Sequence, residues 1–268
     1  MRCCIVLLML ACCCWSPVEL PAAEPSVRSQ LNLATIRLSN PKSSATAFIL
    51  VRPDATDHPD QPLALVTSAH VFEQAQGDEM VITLRRKDSD FEYSKLPAPL
   101  KIRENGKPLW KKHPKADVAV LPLAAPAAVE LPKLSADILA TNDELGAMEP
   151  GDFVRSFGFP HTPLFDPTSA AFPTVRLGCI ASYPVRPTEK QPTYLIDSNT
   201  FEGDSGGPVV WESAEKTTKI VGLIQGQHFI NLRYDFPYES GEIRKQLGVA
   251  IIVPSSTIRE AVEKLAEK

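Results

Sequence analysis

Disulfide potential is nearly absent from the body of this 268-residue chain. Five of its six cysteines fall at the start (Cys3, Cys4, Cys12, Cys13 and Cys14), and Cys179 alone follows them. A fold stapled by cystines is therefore excluded, and stability has to come from a packed core. The chain has no internal repeat, no low-complexity block and no long run of one charge. Its net charge of −4 leaves no basic surface, so no nucleic-acid partner is expected. The N-terminal apolar run is too short to span a bilayer comfortably. What the chain does contain is a succession of short apolar runs separated by turn residues, with 25 prolines and 13 glycines. That pattern points to an all-β fold with many turns.

The N-terminus speaks to compartment. Met1 and Arg2 precede an apolar stretch from Cys3 to Cys14, the arrangement of a secretory leader, with cleavage expected after Ala23. Residues 1–23 are then a signal peptide, the protein is periplasmic or secreted, and only Cys179 stays with the mature chain. A second reading stays open. Leu10-Ala11-Cys12-Cys13 resembles a lipobox, in which case Cys12 or Cys13 would carry lipid and provide the sole membrane attachment.

One heptapeptide carries the chemistry: Gly203-Asp204-Ser205-Gly206-Gly207-Pro208-Val209. A serine hydroxyl attacks a carbonyl only beside a base and opposite fixed donors that meet the developing oxyanion. The flanking glycines allow a sharp turn there and a close substrate approach. Of the five histidines, His58, His113, His161 and His228 lie in polar or proline-rich surroundings that read as loops. His70 instead ends the apolar run Leu63-Ala64-Leu65-Val66-Thr67-Ser68-Ala69, a setting that holds a side chain rigidly at the lip of a core. Asp117 opens the apolar run Val118-Ala119-Val120-Leu121, where a carboxylate wants a partner and an imidazole N–H supplies one.

The order His70, Asp117, Ser205 resembles that of the trypsin-like serine peptidases, and most closely their bacterial HtrA/Deg-type branch. The similarity extends to Ala45–Leu50 before the histidine, to Gly151–Pro160, to Val175–Ser182, and to Val221–Ile224 and Gly248–Pro254 after the serine. It covers about residues 30 to 268 as a protease domain without a PDZ domain. The resemblance implies two six-stranded antiparallel β-barrels and a C-terminal α-helix. The six strands of the first barrel are expected at Leu31–Ser39, Ala45–Arg52, Pro62–Thr67, Glu79–Arg86, Leu96–Arg103 and Asp117–Leu123. Those of the second fall at Phe153–Phe157, Thr174–Tyr183, Thr193–Asp197, Pro208–Glu212, Thr218–Gln225 and Gly248–Val253. The domains are then residues 24–130 with His70 and Asp117, a connector at 131–150, residues 151–253 with Ser205, and a serine-capped helix at 254–268.

The resemblance also implies roles. His70 would move the proton, Asp117 would fix the imidazole, and the N–H groups of Gly203 and Ser205 would form the oxyanion hole of a peptide-cleaving enzyme that needs no metal or cofactor. Asn199 resembles the floor of the specificity pocket, and Gln225, Gly226 and Gln227 its wall. A neutral floor disfavours Lys or Arg, which would be buried without a counter-charge. In trypsin-like zymogens the residue matching Asp204 binds a new N-terminal amine released at an Ile-Val-type site. No such site precedes the first barrel, so Asp204 needs another partner or its loop rests inactive. Segments His161–Phe172 and His228–Lys245 are expected as surface loops, either variable or regulatory. Protein or peptide substrates are the expected partners, and the sequence leaves the oligomeric state open. The competing class is a binding module on a protease scaffold, and an esterase using the same three residues is a third.

Overall fold

The computed structural model describes residues 26–90, 92–124, 129, 131–132, 134–161, 172–213 and 217–265. The expected leader, with Cys12, Cys13 and Ala23, and positions 162–171 of the first expected loop lie outside the described residues.

The chain begins with α1 (Val27–Ala34) and continues through β1 (Thr35–Ser39), β2 (Ser44–Val51), β3 (Leu63–Thr67), α2 (Ala69–Glu73), β4 (Glu79–Lys87) and β5 (Tyr93–Lys101). Three two-residue strands follow, β6 (Arg103–Glu104), β7 (Lys107–Pro108) and β8 (Lys111–Lys112), and then β9 (Ala119–Leu123). The strand expected from Leu31 starts four residues later. Ser26 caps a helix instead, accepting the Ser29 N–H at 3.2 Å, and Leu31 and Ala34, one helical turn apart, enter the core.

The first sheet has seven strands in the order β5-β4-β1-β2-β3-β9-β8, all neighbours antiparallel. Its six long strands are those expected of the first barrel. No ladder among the described residues joins β5 to β9 to close the ring. Pro97 and Pro99 deprive β5 of two ladder donors, which suits an edge strand. The far edge of β9 is taken by β8, with Lys111 opposite Val120 and Lys112 opposite Ala119.

The connector is more ordered than a linker. A 3-10 turn at Ala136–Ile138 leads to α3 (Asn142–Gly146), where Thr141 and Glu144 form a reciprocal capping box. Beyond it, β10 (Phe153–Gly158), β11 (Thr174–Ile180), β12 (Tyr194–Asp197), β13 (Pro208–Glu212), β14 (Thr218–Phe236) and β15 (Glu239–Pro254) build a closed barrel in the order β10-β11-β12-β15-β14-β13. The last two strands run far past the expected ends. His228–Lys245, expected as a loop, is a long β-hairpin with ladder pairs from Phe229↔Gln246 to Phe236↔Glu239.

Last comes α4 (Ser255–Glu263). Its N-cap is Pro254 rather than a serine, because the Ser255 hydroxyl donates to Ala140 O at 2.8 Å and ties the helix to the connector. One core fills the first sheet around Ile49, Leu65 and Phe72, and another fills the barrel around Tyr194 and Ile196. A third joins the two halves: Phe48, Val66 and Val120 meet Val210 and Leu223 there, sealed by Leu31 from α1 and Ile258 and Val262 from α4. Burial of such apolar area, at about 25 cal/mol per Å², is what fixes the halves to one another. Trypsin-like double-barrel architecture accounts for the whole arrangement.

Candidate active site

The site lies where the two halves meet. β3 ends at Thr67, Ser68 stands in extended conformation, and His70 sits in the first turn of α2. Two bonds fix that corner: Thr67 Oγ1 donates to Thr46 O at 2.8 Å, and Ser68 Oγ donates across the halves to Ile224 O at 3.1 Å. The carboxylate approaches from a turn. Val118 N–H bonds Ala116 O, so Asp117 projects from just ahead of β9 instead of opening the strand.

The His70 imidazole and Asp117 meet in two hydrogen bonds. Asp117 Oδ2 accepts from Nδ1 at 2.6 Å, and Oδ1 accepts from the His70 backbone N–H at 2.9 Å. A proton on Nδ1 leaves Nε2 as the acceptor of the neutral ring. Burial works to raise the Asp117 carboxyl, but the ring and backbone N–H groups of His70, aided by Lys112, outweigh it and hold the group below the ordinary carboxylate value.

The Ser205 loop is clamped by the first sheet. Thr46 N–H donates to Ser205 O at 3.0 Å, and Thr46 Oγ1 both donates to Gly203 O at 2.7 Å and accepts the Phe159 N–H at 3.0 Å. On the barrel side, Gly206 N–H donates to Ile224 O at 2.7 Å, and Gly207 O accepts the Ile224 N–H at 2.9 Å. Glycine is required at two of these positions. Gly203 (φ +97°) and Gly206 (φ +87°) lie in left-handed backbone, and a Cβ would come within 2.2 Å of Phe159 O or Thr46 O respectively.

The loop's donors are arranged as well. Glu202 O accepts the His161 N–H at 2.6 Å, and in a planar trans peptide the Gly203 N–H then points the opposite way. Among the described residues neither that N–H nor the one on Ser205 is given to an acceptor. The Ser205 hydroxyl donates to Gln225 O at 3.2 Å, and no hydrogen bond joins it to His70 in this structure.

Asp204 has the partner that the sequence left open. Its side chain is fully buried, Oδ2 is ion-paired with Arg176 of β11, and the same oxygen accepts the Phe201 N–H at 2.7 Å. The guanidinium also lies 5.7 Å from the Phe201 ring centre. Burial pushes the Asp204 carboxyl above its ordinary value, opposed by Arg176 and the Phe201 N–H. Arg176 was missed by sequence reasoning, yet β11 carries a signal. Val175 and Leu177 face solvent while Arg176 between them points inward, and an inward charge requires a counter-charge.

Of the expected pocket residues, Gln225, Gly226 and Gln227 line up on β14 beside Ser205, half-buried. Thr200 Oγ1 reaches Gln227 Oε1 at 3.5 Å. Asn199 is exposed and sits against the Gly248 bulge of β15. Of the other histidines expected in loops, His228 lies on β14, while His113 keeps its place in the connection between β8 and β9 but is buried, with Nε2 3.1 Å from Glu260 Oε2 on α4. No group of three or more possible metal ligands occurs among the described residues.

Two barrel-like halves with an imidazole–carboxylate pair on one and a glycine-flanked serine on the other define a trypsin-like peptidase class. The family comparison agrees: residues 45–223 match the model of the trypsin-like peptidase domain, and the chain belongs to that family. No curated protein matches the chain. It is similar to a crystal structure of Rv3671c from M. tuberculosis H37Rv, a serine-to-alanine mutant in its inactive form, at 16% identity and a TM-score of 0.47, over 93% of this chain and 96% of that chain.

Proposed function

We propose that the chain is an exported serine endopeptidase of HtrA-like type that hydrolyses peptide bonds through His70, Asp117 and Ser205. The observation that carries this reading is the 2.6 Å contact between Asp117 Oδ2 and His70 Nδ1, made on elements bonded to the Ser205 loop through Thr46, Ser68 and Ile224.

In the proposed reaction His70 Nε2 takes the Ser205 proton as Oγ attacks the scissile carbonyl. The same proton then passes to the leaving amine, and water repeats the sequence on the acyl-enzyme. Asp117 holds the tautomer and stabilises the imidazolium. Gly203 and Ser205 N–H groups receive the oxyanion, a contribution worth on the order of 10² to 10³ in rate for a single comparable donor. Arg176 is a positioning residue, holding Asp204 and through it the turn that aims both donors. Gln225, Gly226 and Gln227 form the wall that faces the substrate side chain, with Asn199 at its outer margin. The open, neutral margin favours an uncharged side chain over Lys or Arg.

One observation favours a second reading, in which the peptidase is assembled only on engagement. The Ser205 hydroxyl is held by Gln225 O and has to rotate to His70 before it can attack, a tightening common on substrate binding. Reaction of the native chain with a fluorophosphonate, beside Ser205→Ala, tests both readings. Labelling at rest supports the first, labelling only with a peptide present supports the second, and its absence under both conditions contradicts the function. Casein turnover against ester turnover then separates peptidase from esterase.

A further inference from the structure

His113 is a buried ring in an exposed stretch. It is 5% exposed, whereas Lys111, Lys112, Pro114 and Lys115 around it face solvent. A polar side chain is carried inside where its polar atoms are met, and both ring nitrogens are. Nδ1 accepts the Lys115 N–H at 3.3 Å, and Nε2 lies 3.1 Å from Glu260 Oε2 on α4. An accepting Nδ1 puts the proton of the neutral ring on Nε2, where the Glu260 carboxylate takes it. The reaction proposed above uses neither nitrogen.

The same ring braces the turn that carries Asp117. The β8–β9 ladder ends at Lys112↔Ala119, and the His113 N–H closes the connection on Val118 O at 2.9 Å. Inside it Pro114 has no N–H to give, Val118 N–H donates to Ala116 O at 2.9 Å, and Lys115 N–H is spent on His113 Nδ1. Asp117 therefore lies ahead of the ladder, its carboxylate aimed by the short turn from Pro114. Behind that turn stands α4. Val118, with Ala116 packed alongside, shares a core cluster with Ile258, Ala261 and Val262, and Lys111 Nζ donates to Lys264 O at 2.6 Å at the C-terminal end of the helix.

We propose that His113 is a positioning residue of the site, whose Nδ1 holds the Lys115 N–H and with it the turn that delivers the Asp117 carboxylate to His70. The inference rests on the peptidase reading for what the positioning serves. Asp117 Oδ2 meets His70 Nδ1 at 2.6 Å, and a misplacement of about 1 Å in such a group costs on the order of 10²-fold in rate. The carboxylate of Glu260 selects the useful tautomer. The other tautomer sets donor against donor at Lys115. An apolar side chain of similar volume fills the space and leaves the turn without its brace.

Side-chain geometry separates this role from packing. Asparagine places its amide oxygen where histidine has Nδ1 and stops short of Glu260, whereas glutamine places its amide nitrogen near Nε2 and leaves the Lys115 N–H unmet. Two readouts are taken on the full chain, each variant checked for folding by circular dichroism. One is the rate of Ser205 labelling by a fluorophosphonate. The other is the far-downfield proton NMR signal of the hydrogen between His70 Nδ1 and Asp117 Oδ2. His113→Leu and His113→Gln are expected to slow labelling roughly 10- to 100-fold and to lose that signal to solvent exchange. His113→Asn should recover most of both. Native labelling and an unchanged signal in folded His113→Leu overturn the proposal. An asparagine variant that loses as much as the glutamine variant also overturns it, assigning the ring to packing. Where His113→Leu does not fold, the asparagine–glutamine comparison decides by the same criterion. A native chain that shows the signal and takes no label on Ser205 counts against the peptidase reading, and the NMR series still reads the placement of Asp117.

Discussion

Arg176 closes its guanidinium on the Asp204 carboxylate, one residue before the candidate nucleophile, in a site where Asp204 is wholly shielded from water. A buried carboxylate at this position demands a cation, and the barrel supplies one from its own second strand. The turn from Phe201 to Ser205 is thereby ordered without a new N-terminal amine. Arg176→Ala is expected to cost about 3 kcal/mol or more in urea unfolding, because it strands a buried charge. Fluorophosphonate labelling of Ser205 should fall with it. Arg176→Lys should recover part of both, and free guanidinium added to the alanine variant should restore labelling if the cation is what positions the loop.

The two site aspartates should move stability with pH in opposite directions. Asp117 is held below its ordinary value of 3.8, so its contribution is complete above that value and is lost as pH falls through the lower folded-state value. Asp204 is pushed above 3.8. Between 3.8 and its higher folded-state value the native chain holds the extra proton, and stability falls as pH rises through that window. Urea unfolding of Asp117→Asn and Asp204→Asn across the acid range should show each variant lacking one of these slopes.

Thr46 is the expected mechanical link between halves. Its hydroxyl joins Gly203 O to the Phe159 N–H in a buried position, so Thr46→Val leaves a donor and an acceptor unmet. A loss of about 1 to 3 kcal/mol follows from that desolvation, with slower labelling of Ser205. Thr46→Ser should restore most of both.

Gly206→Ala should be harsher than its size suggests. The added methyl would fall 2.2 Å from both Thr46 O and Thr67 Oγ1 at φ +87°, so the loop has to move. Labelling should be abolished at a stability that still leaves the chain folded by circular dichroism, since the Gly206 loop can give way where it meets β2 and β3.

Much of the fold was legible because its strands are bounded by turn residues. β13 falls at the residues the apolar run marked, and β2, β3, β4, β10 and β12 lie within two residues of theirs. Where reading failed, a second signal competed. Leu31 and Leu33 alternate like a strand, but the Ser26 cap and the pull of the inter-half core on Leu31 and Ala34 made a helix. The β14–β15 hairpin escaped notice because neither of its faces is buried; its charged residues resemble those of a loop. His70, Asp117 and Ser205 stood out as candidates through their local settings, whereas Arg176 was hidden by distance: 28 residues separate it from Asp204, and the ladders of β11 with β10 and β12 bring that strand beside the loop.

Everything proposed for the reaction turns on Ser205 being a nucleophile poised by His70 and Asp117. Labelling with a fluorophosphonate, followed by mass spectrometry of the modified peptide, addresses it directly. One adduct is expected, on Ser205, absent from Ser205→Ala and slowed on the order of 10³-fold or more in His70→Ala. A native, folded chain that takes no adduct on Ser205, with or without peptide present, or one labelled equally fast without His70, would contradict it.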